Sequence, residues 1–267
     1  MYKLCEALSN RREAFLALKF MFLFPAAFFF FAPLTESLFM FLSITMFYFA
    51  IKKRPVGMFI CGVLLSLSRL QGLLMLIPVV FEMIVNIRAS KSEADRRKAV
   101  LHGAAASFAL LLGFAVYLLI NLLVYGNMFQ FLIYQKENWH QSLSYFWNTA
   151  KYIPEYAAGW RASGETGYYT ISIPTIAAMI ISLTAILLSA RRLRPSLTLY
   201  AMAYFMISFG ATWLLSGARY TLCMFPIVLV ATKLSAKNKI VNYLLTGAFI
   251  LMYSYYCFMF MAHSTVY

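Results

Sequence analysis

Three charged residues stand where an oily sequence should hold none. Glu36 lies inside FPAAFFFFAPLTESLFMFLSITMFYFA, between Thr35 and Ser37. Arg69 lies in LSRLQG with Gln71 beside it, and Arg219 lies in SGARY beside Tyr220. An unpaired carboxylate in an apolar medium costs several kcal/mol, so Glu36 needs a partner or a helix end. Two answers stay open from spacing alone. Thr35 can cap a helix beginning at Glu36, whose carboxylate then meets the positive end of the helix dipole. Alternatively Glu36 faces a polar cavity and pairs with Arg69, Arg219 or a substrate. The arginines also read two ways: as anchors at a membrane surface, or as a pair of guanidinium forks that grip a phosphate.

Few other residues carry chemistry. His102, His140 and His263 are scattered, so no metal cluster is expected. Phosphate-loop and dinucleotide glycine motifs are missing, and the only aspartate, Asp95, sits in a polar connector. Cys5, Cys61, Cys223 and Cys257 form no CxxC pair and read as small core or lipid-facing residues. No cofactor is expected, and the need for a divalent metal is left open.

The elements that must position these residues are membrane spans. Of 267 residues, 63% are hydrophobic and 12% charged, against about 25% charged in soluble domains. Mean hydropathy is +0.74. Apolar segments fall at 15–32, 37–51, 56–68, 71–87, 99–125, 169–190, 196–215, 221–232 and 240–262. These predict one all-α integral membrane domain over 1–267, a bundle of about 7–9 transmembrane segments. Segment 15–32 has no small-residue cleavage motif and reads as a retained span. Segments 56–68 and 221–232 are short, as thin crossings or re-entrant hairpins would be.

Basic residues orient the bundle. With a cytoplasmic N-terminus, one side holds Lys3, Arg11, Arg12, Lys19, the Lys52–Arg54 turn, Arg88, Lys91, Arg96–Lys98, Arg191, Arg192, Arg194, Lys233, Lys237 and Lys239. The other side keeps only Arg69, Lys136, Lys151, Arg161 and Arg219. That asymmetry follows the positive-inside rule. It explains the net charge of +14 as topology, with no nucleic acid needed as a partner. The tail HSTVY then ends outside. The polar tips APLTES, SRLQG and SGARY share the outer face with a long loop, 126–168. Within it, FQFLIYQKENWHQSLSYFW predicts an amphipathic helix on the membrane surface, either an interfacial anchor or a functional element.

Taken in order, these stretches resemble the bacterial PIG-V-type mannosyltransferases, multi-spanning glycosyltransferases of the GT-C class. The matching elements are Phe24-Pro25-Ala26-Ala27-Phe28, Thr35-Glu36-Ser37-Leu38-Phe39 and Ser68-Arg69-Leu70-Gln71-Gly72. Gly126, Asn127, Phe131, Gln135 and Trp139 follow, then Ser216, Arg219, Tyr220, Phe225 and Pro226. The resemblance covers roughly residues 12–235. It implies transfer of a hexose, mannose by preference, from a polyprenyl-phosphate donor to an acceptor on the outer face. Under it, Arg69, Arg219 and Tyr220 hold the donor phosphate, and Thr35, Ser37, Gln71, Gln135, Trp139 and His140 hold substrate. The outer loop also carries Glu137, Glu155 and Glu165, but Glu36 is the best-placed outer carboxylate for the base, at a membrane-edge tip. Members of the family usually carry, ahead of this region, a further span and an outer loop with a catalytic aspartate. No outer aspartate is present here. The chain is therefore expected to be a truncated or split member, to need a second chain, to use another carboxylate, or to be a non-catalytic relative. The implied location is a cell membrane, with the bacterial plasma membrane favoured over the endoplasmic reticulum.

Overall fold

The computed structural model describes residues 1–212 and 216–262. The protein is an all-α helical membrane protein. Among the described residues the only β contact is an isolated bridge between Leu143 and Ala211.

The chain opens with α1 (Tyr2–Leu8) and α2 (Arg11–Phe22). The Asn10 side chain caps α2 by accepting from the Glu13 amide at 3.0 Å. The expected span over 15–32 is not one helix. Pro25 has no N–H to continue the ladder, so α2 stops at Phe22 and the chain re-forms as a short 3-10 turn at Ala27–Phe30. Next come α3 (Glu36–Ile51) and α4 (Pro55–Ser68), packed as a hairpin. A 3-10 turn, Leu70–Met75, leads into α5 (Leu76–Ala89), and α6 (Glu93–Tyr125) follows.

The long loop has structure of its own. It holds α7 (Gln130–Trp139) and α8 (Phe146–Ser163), so the expected single surface helix is two helices with a break after Trp139. His140, at the break, has φ 50°, a left-handed backbone that ends a helix. A π-turn at Tyr168–Ser172 precedes α9 (Ile173–Arg192), and α10 (Pro195–Ser208) returns. The remaining helices are α11 (Gly217–Leu222), α12 (Pro226–Lys237) and α13 (Lys239–Met261). Pro226 removes the donor that Leu222 would have used, which breaks α11 from α12.

Among the described residues four helical stretches are long and apolar enough to cross a membrane: Leu70–Ala89, Glu93–Tyr125, Tyr168–Arg192 and Lys239–Met261. The other apolar segments form shorter helices. At 1.5 Å per residue, the 14 residues of α4 span about 21 Å, less than the ~30 Å hydrocarbon core. Two of the shorter helices, α10 and α12, supply much of the interior, while α3 and α4 also expose apolar side chains such as Phe41 and Val56. Pro226–Thr232 of α12 are all buried, as are Tyr200, Tyr204 and Phe205 of α10. The long helices α6 and α13 turn apolar side chains outward, among them Leu123, Leu244 and Leu251. In water such faces would aggregate; in lipid they cost nothing. The end of segment 196–215 and the tail 263–267 lie outside the described residues.

Candidate functional site

Glu36 is the first residue of α3 and is 2% exposed. Its Oε1 lies 3.2 Å from Arg69 Nη1 and 3.2 Å from Arg219 Nε. Residues from three separated stretches thus meet at one oxygen, which places Arg69 and Arg219 at the same end of the bundle. Glu36 sits in a first helical turn, as one answer required, and is also paired twice, as the other did. The expected cap by Thr35 is not made. Its backbone is helical (φ −83°, ψ −3°) and its side chain accepts no cap hydrogen bond, because a capping side chain is aimed by an extended backbone.

Local chain geometry aims each arginine. Arg69 is extended (φ −155°, ψ 144°) at the junction between α4 and the 3-10 turn. The turn folds back so tightly that a Cβ on Gly72 would sit 2.6 Å from the Leu65 carbonyl oxygen. The SRLQG stretch needs its glycine for that backbone approach. Arg219 projects from α11, whose Gly217 packs against the Thr175 side chain of α9.

Aromatic rings line the cluster. The Tyr220 ring lies beside both guanidiniums, with centroid distances of 5.9 Å to Arg69 and 5.6 Å to Arg219. Phe39 faces Arg69 at 5.7 Å and Phe29 faces Arg219 at 5.8 Å. The ring faces attract the cations and exclude water. Cys223 Sγ is 3.8 Å from Arg69 Nη1 and 3.9 Å from the Glu36 carbonyl. Arg69 is 12% exposed and Arg219 23%, so the cluster opens to solvent mainly past Arg219. One carboxylate and two guanidiniums leave a net charge of +1. Glu36 Oε2 is buried with no hydrogen-bond partner among the described residues.

The structure brings together Glu36, Arg69, Arg219 and Tyr220. Ser37 and Gln71 are half-buried and Thr35 is exposed in the same turns. Gln135, Trp139 and His140 are exposed at α7 and its end, and no hydrogen bond or ion pair joins them to the cluster. Their loop is pinned elsewhere. Thr212 donates its amide to the Ser142 carbonyl at 2.9 Å, and Thr149 donates its hydroxyl to the Ala211 carbonyl at 3.1 Å. The sequence assigns no site role to Phe29, Phe39 or Cys223. Nothing in a run of phenylalanines says which ring will meet a cation.

Beside α11 lies an apolar cavity of about 120 Å³ between α9 and α13, walled by Pro174, Ile181, Ala218, Thr221, Phe249 and Tyr256. At the other end, Glu82 pairs with Arg194 at 3.3 Å and accepts from Ser196 Oγ at 2.5 Å. Glu13 pairs with Lys233 at 2.7 Å. These pairs join basic turns that the charge pattern put on one side. Among the described residues no three metal-ligating side chains come together, and all four cysteines are free. Comparison with protein-family models, curated proteins and solved structures finds no match to the chain.

Proposed function

We propose that this chain is a membrane glycosyltransferase that takes a hexose, mannose by the resemblance, from a polyprenyl-phosphate donor on the outer face of a bacterial plasma membrane. The observation that carries the reading is the convergence of Arg69 and Arg219 on Glu36, with the Tyr220 ring beside both guanidiniums. A glycosyl phosphodiester carries one negative charge, which matches the cluster's net +1. As the glycosidic C–O bond breaks, the departing phosphate gains a second negative charge. Fixed guanidiniums stabilise that charge more than the starting diester, which is what lowers a barrier. The neighbouring apolar cavity suits the hydrocarbon next to such a phosphate.

Glu36 is first a positioning residue here, because Oε1 holds both guanidiniums in one geometry. Its Oε2, without a hydrogen-bond partner among the described residues, is the atom that would take the proton of an acceptor hydroxyl. The competing reading is a non-catalytic relative, or one part of a split enzyme whose second chain brings the base. The position of Asp95, in the first turn of α6 on the basic side of the bundle, favours it.

The test uses the purified chain in lipid nanodiscs, supplied with a polyprenyl-phosphate hexose. Transfer is expected from the parent and not from Arg69→Ala or Arg219→Ala, with folding checked by circular dichroism and gel filtration. Full activity in both variants removes the cluster from the mechanism. An inactive parent that still binds donor through these arginines supports the non-catalytic reading.

A further inference from the structure

A second basic site lies at the opposite end of the bundle, where α2, α12 and α13 meet. A cavity of about 320 Å³ opens there, lined by Arg12, Lys19 and Lys239 with Ser235 and Asn242. No acidic side chain lines it. The nearest carboxylate in α2, Glu13, is already held by Lys233. Three cations round a cavity without a counter-charge repel one another, and that arrangement is relieved by an anion.

Two further observations point to a ligand. Ser235 is 3% exposed, and its hydroxyl is buried with no hydrogen-bond partner, yet it lines this cavity. Lys19 is fixed rather than free, donating from Nζ to Asn242 Oδ1 at 2.5 Å and Thr246 Oγ1 at 2.8 Å. An ammonium has three donors, so one is left to share between an anion in the cavity and the Phe20 ring, whose centroid is 4.5 Å from Nζ.

The rim decides the ligand's source. Phe15 and Leu16 wall the cavity. Phe15 is 55% exposed, and Tyr243 and Leu244 continue the exposed apolar surface down α13. A cationic pocket whose edge runs onto a lipid-facing helix fits a molecule with an anionic head and a hydrocarbon body. Anionic lipids are enriched in the cytoplasmic leaflet, where the charge asymmetry puts this end. We propose that this cavity binds the phosphate headgroup of an anionic phospholipid. The site is separate from the Glu36 cluster and does not depend on the transferase reading.

The experiment is native mass spectrometry of the full chain released from non-ionic detergent, titrated with phosphatidylglycerol, phosphatidylcholine or inorganic phosphate. Phosphatidylglycerol is expected to bind and the other two are not. Arg12 and Lys239 are exposed, so their alanine variants keep the fold. Each is expected to weaken phosphatidylglycerol binding roughly 5-fold, the effect of one basic residue near an anionic lipid surface. Ser235→Ala weakens it as well. Lys52→Ala/Lys53→Ala, exposed on the same side but outside the cavity, is the control and leaves binding unchanged. Equal binding of phosphatidylcholine, equal occupancy by inorganic phosphate, an undiminished Arg12→Ala/Lys239→Ala variant, or an equal loss in the lysine control each overturns the proposal.

Discussion

Replacing Glu36 by Gln keeps the side-chain shape and removes the charge that two guanidiniums share. Each contact is 3.2 Å, an attraction of about 5 kcal/mol at an effective dielectric of ~20, before desolvation is subtracted. The two arginine nitrogens can be no more than twice that distance apart, so without the carboxylate they repel by at least about 2.5 kcal/mol on the same scale. Desolvation of the ions offsets much of the attraction, and breaking a buried pair by removing one partner typically costs about 3–5 kcal/mol. Arg219 is partly exposed, which puts the expectation near the lower end. A carboxylate serving only the helix dipole would be worth about 0.3–1 kcal/mol, so the two roles differ enough to measure. Thermal unfolding in mild detergent, followed by tryptophan fluorescence, should show Glu36→Gln melting lower by roughly 6–12 °C, taking 2–4 °C per kcal/mol. The double variant Glu36→Gln/Arg219→Gln should recover part of that loss, because it removes one of the repelling charges; couplings between touching residues run about 0.5–3 kcal/mol. A melting temperature within about 2 °C of the parent, or strictly additive single losses, would refute the clamp.

Three further expectations use other parts of the structure. Gly72→Ala places a Cβ 2.6 Å from backbone oxygen and 2.7 Å from backbone carbon of Leu65, which overpacks the turn by about 1–3 kcal/mol and displaces Arg69; donor binding should fall, and unchanged binding would show that the tight turn does not aim the arginine. Burial alone would raise the Glu13 carboxyl, but hydrogen bonds from Lys233, Ser9 and Asn10 pull it below its ordinary 4.5. A depressed carboxyl contributes stability that is present above its unfolded value and lost as pH falls through the folded one, so melting temperature should drop below pH 4.5 and Glu13→Gln should flatten that drop. Reporter fusions at residues 69 and 219 should give the same side of the membrane, opposite to a fusion at residue 53; any other pattern breaks the topology.

Much of the architecture was legible because hydrocarbon content and charge bias are properties of composition. A run such as Ile173–Leu188 can only be buried or face lipid, and a turn such as Lys52–Arg54 stays out of the hydrocarbon wherever the chain goes. Those two facts gave the helical membrane class and the sorting of SRLQG and SGARY to a common end. Helix lengths were less legible. Segment 15–32 looks like a span by hydropathy, but Pro25 interrupts it, and hydropathy does not count hydrogen bonds. The surface loop read as one helix because its apolar spacing runs on past Trp139, while the left-handed turn at His140 ends the helix there.

Sequence by itself determined that Glu36, Arg69 and Arg219 are expensive to bury and so had to find partners or water. Only the tertiary structure decided that they found each other. The contacts span 33 positions between Glu36 and Arg69 and 183 between Glu36 and Arg219, and no local rule links residues so far apart. They form because the start of α3, the α4–α5 junction and α11 meet at one end of the bundle, with the Tyr220 ring beside both guanidiniums. The same packing left Gln135, Trp139 and His140 on an exposed helix, where residue type alone had put them on a level with the buried charges.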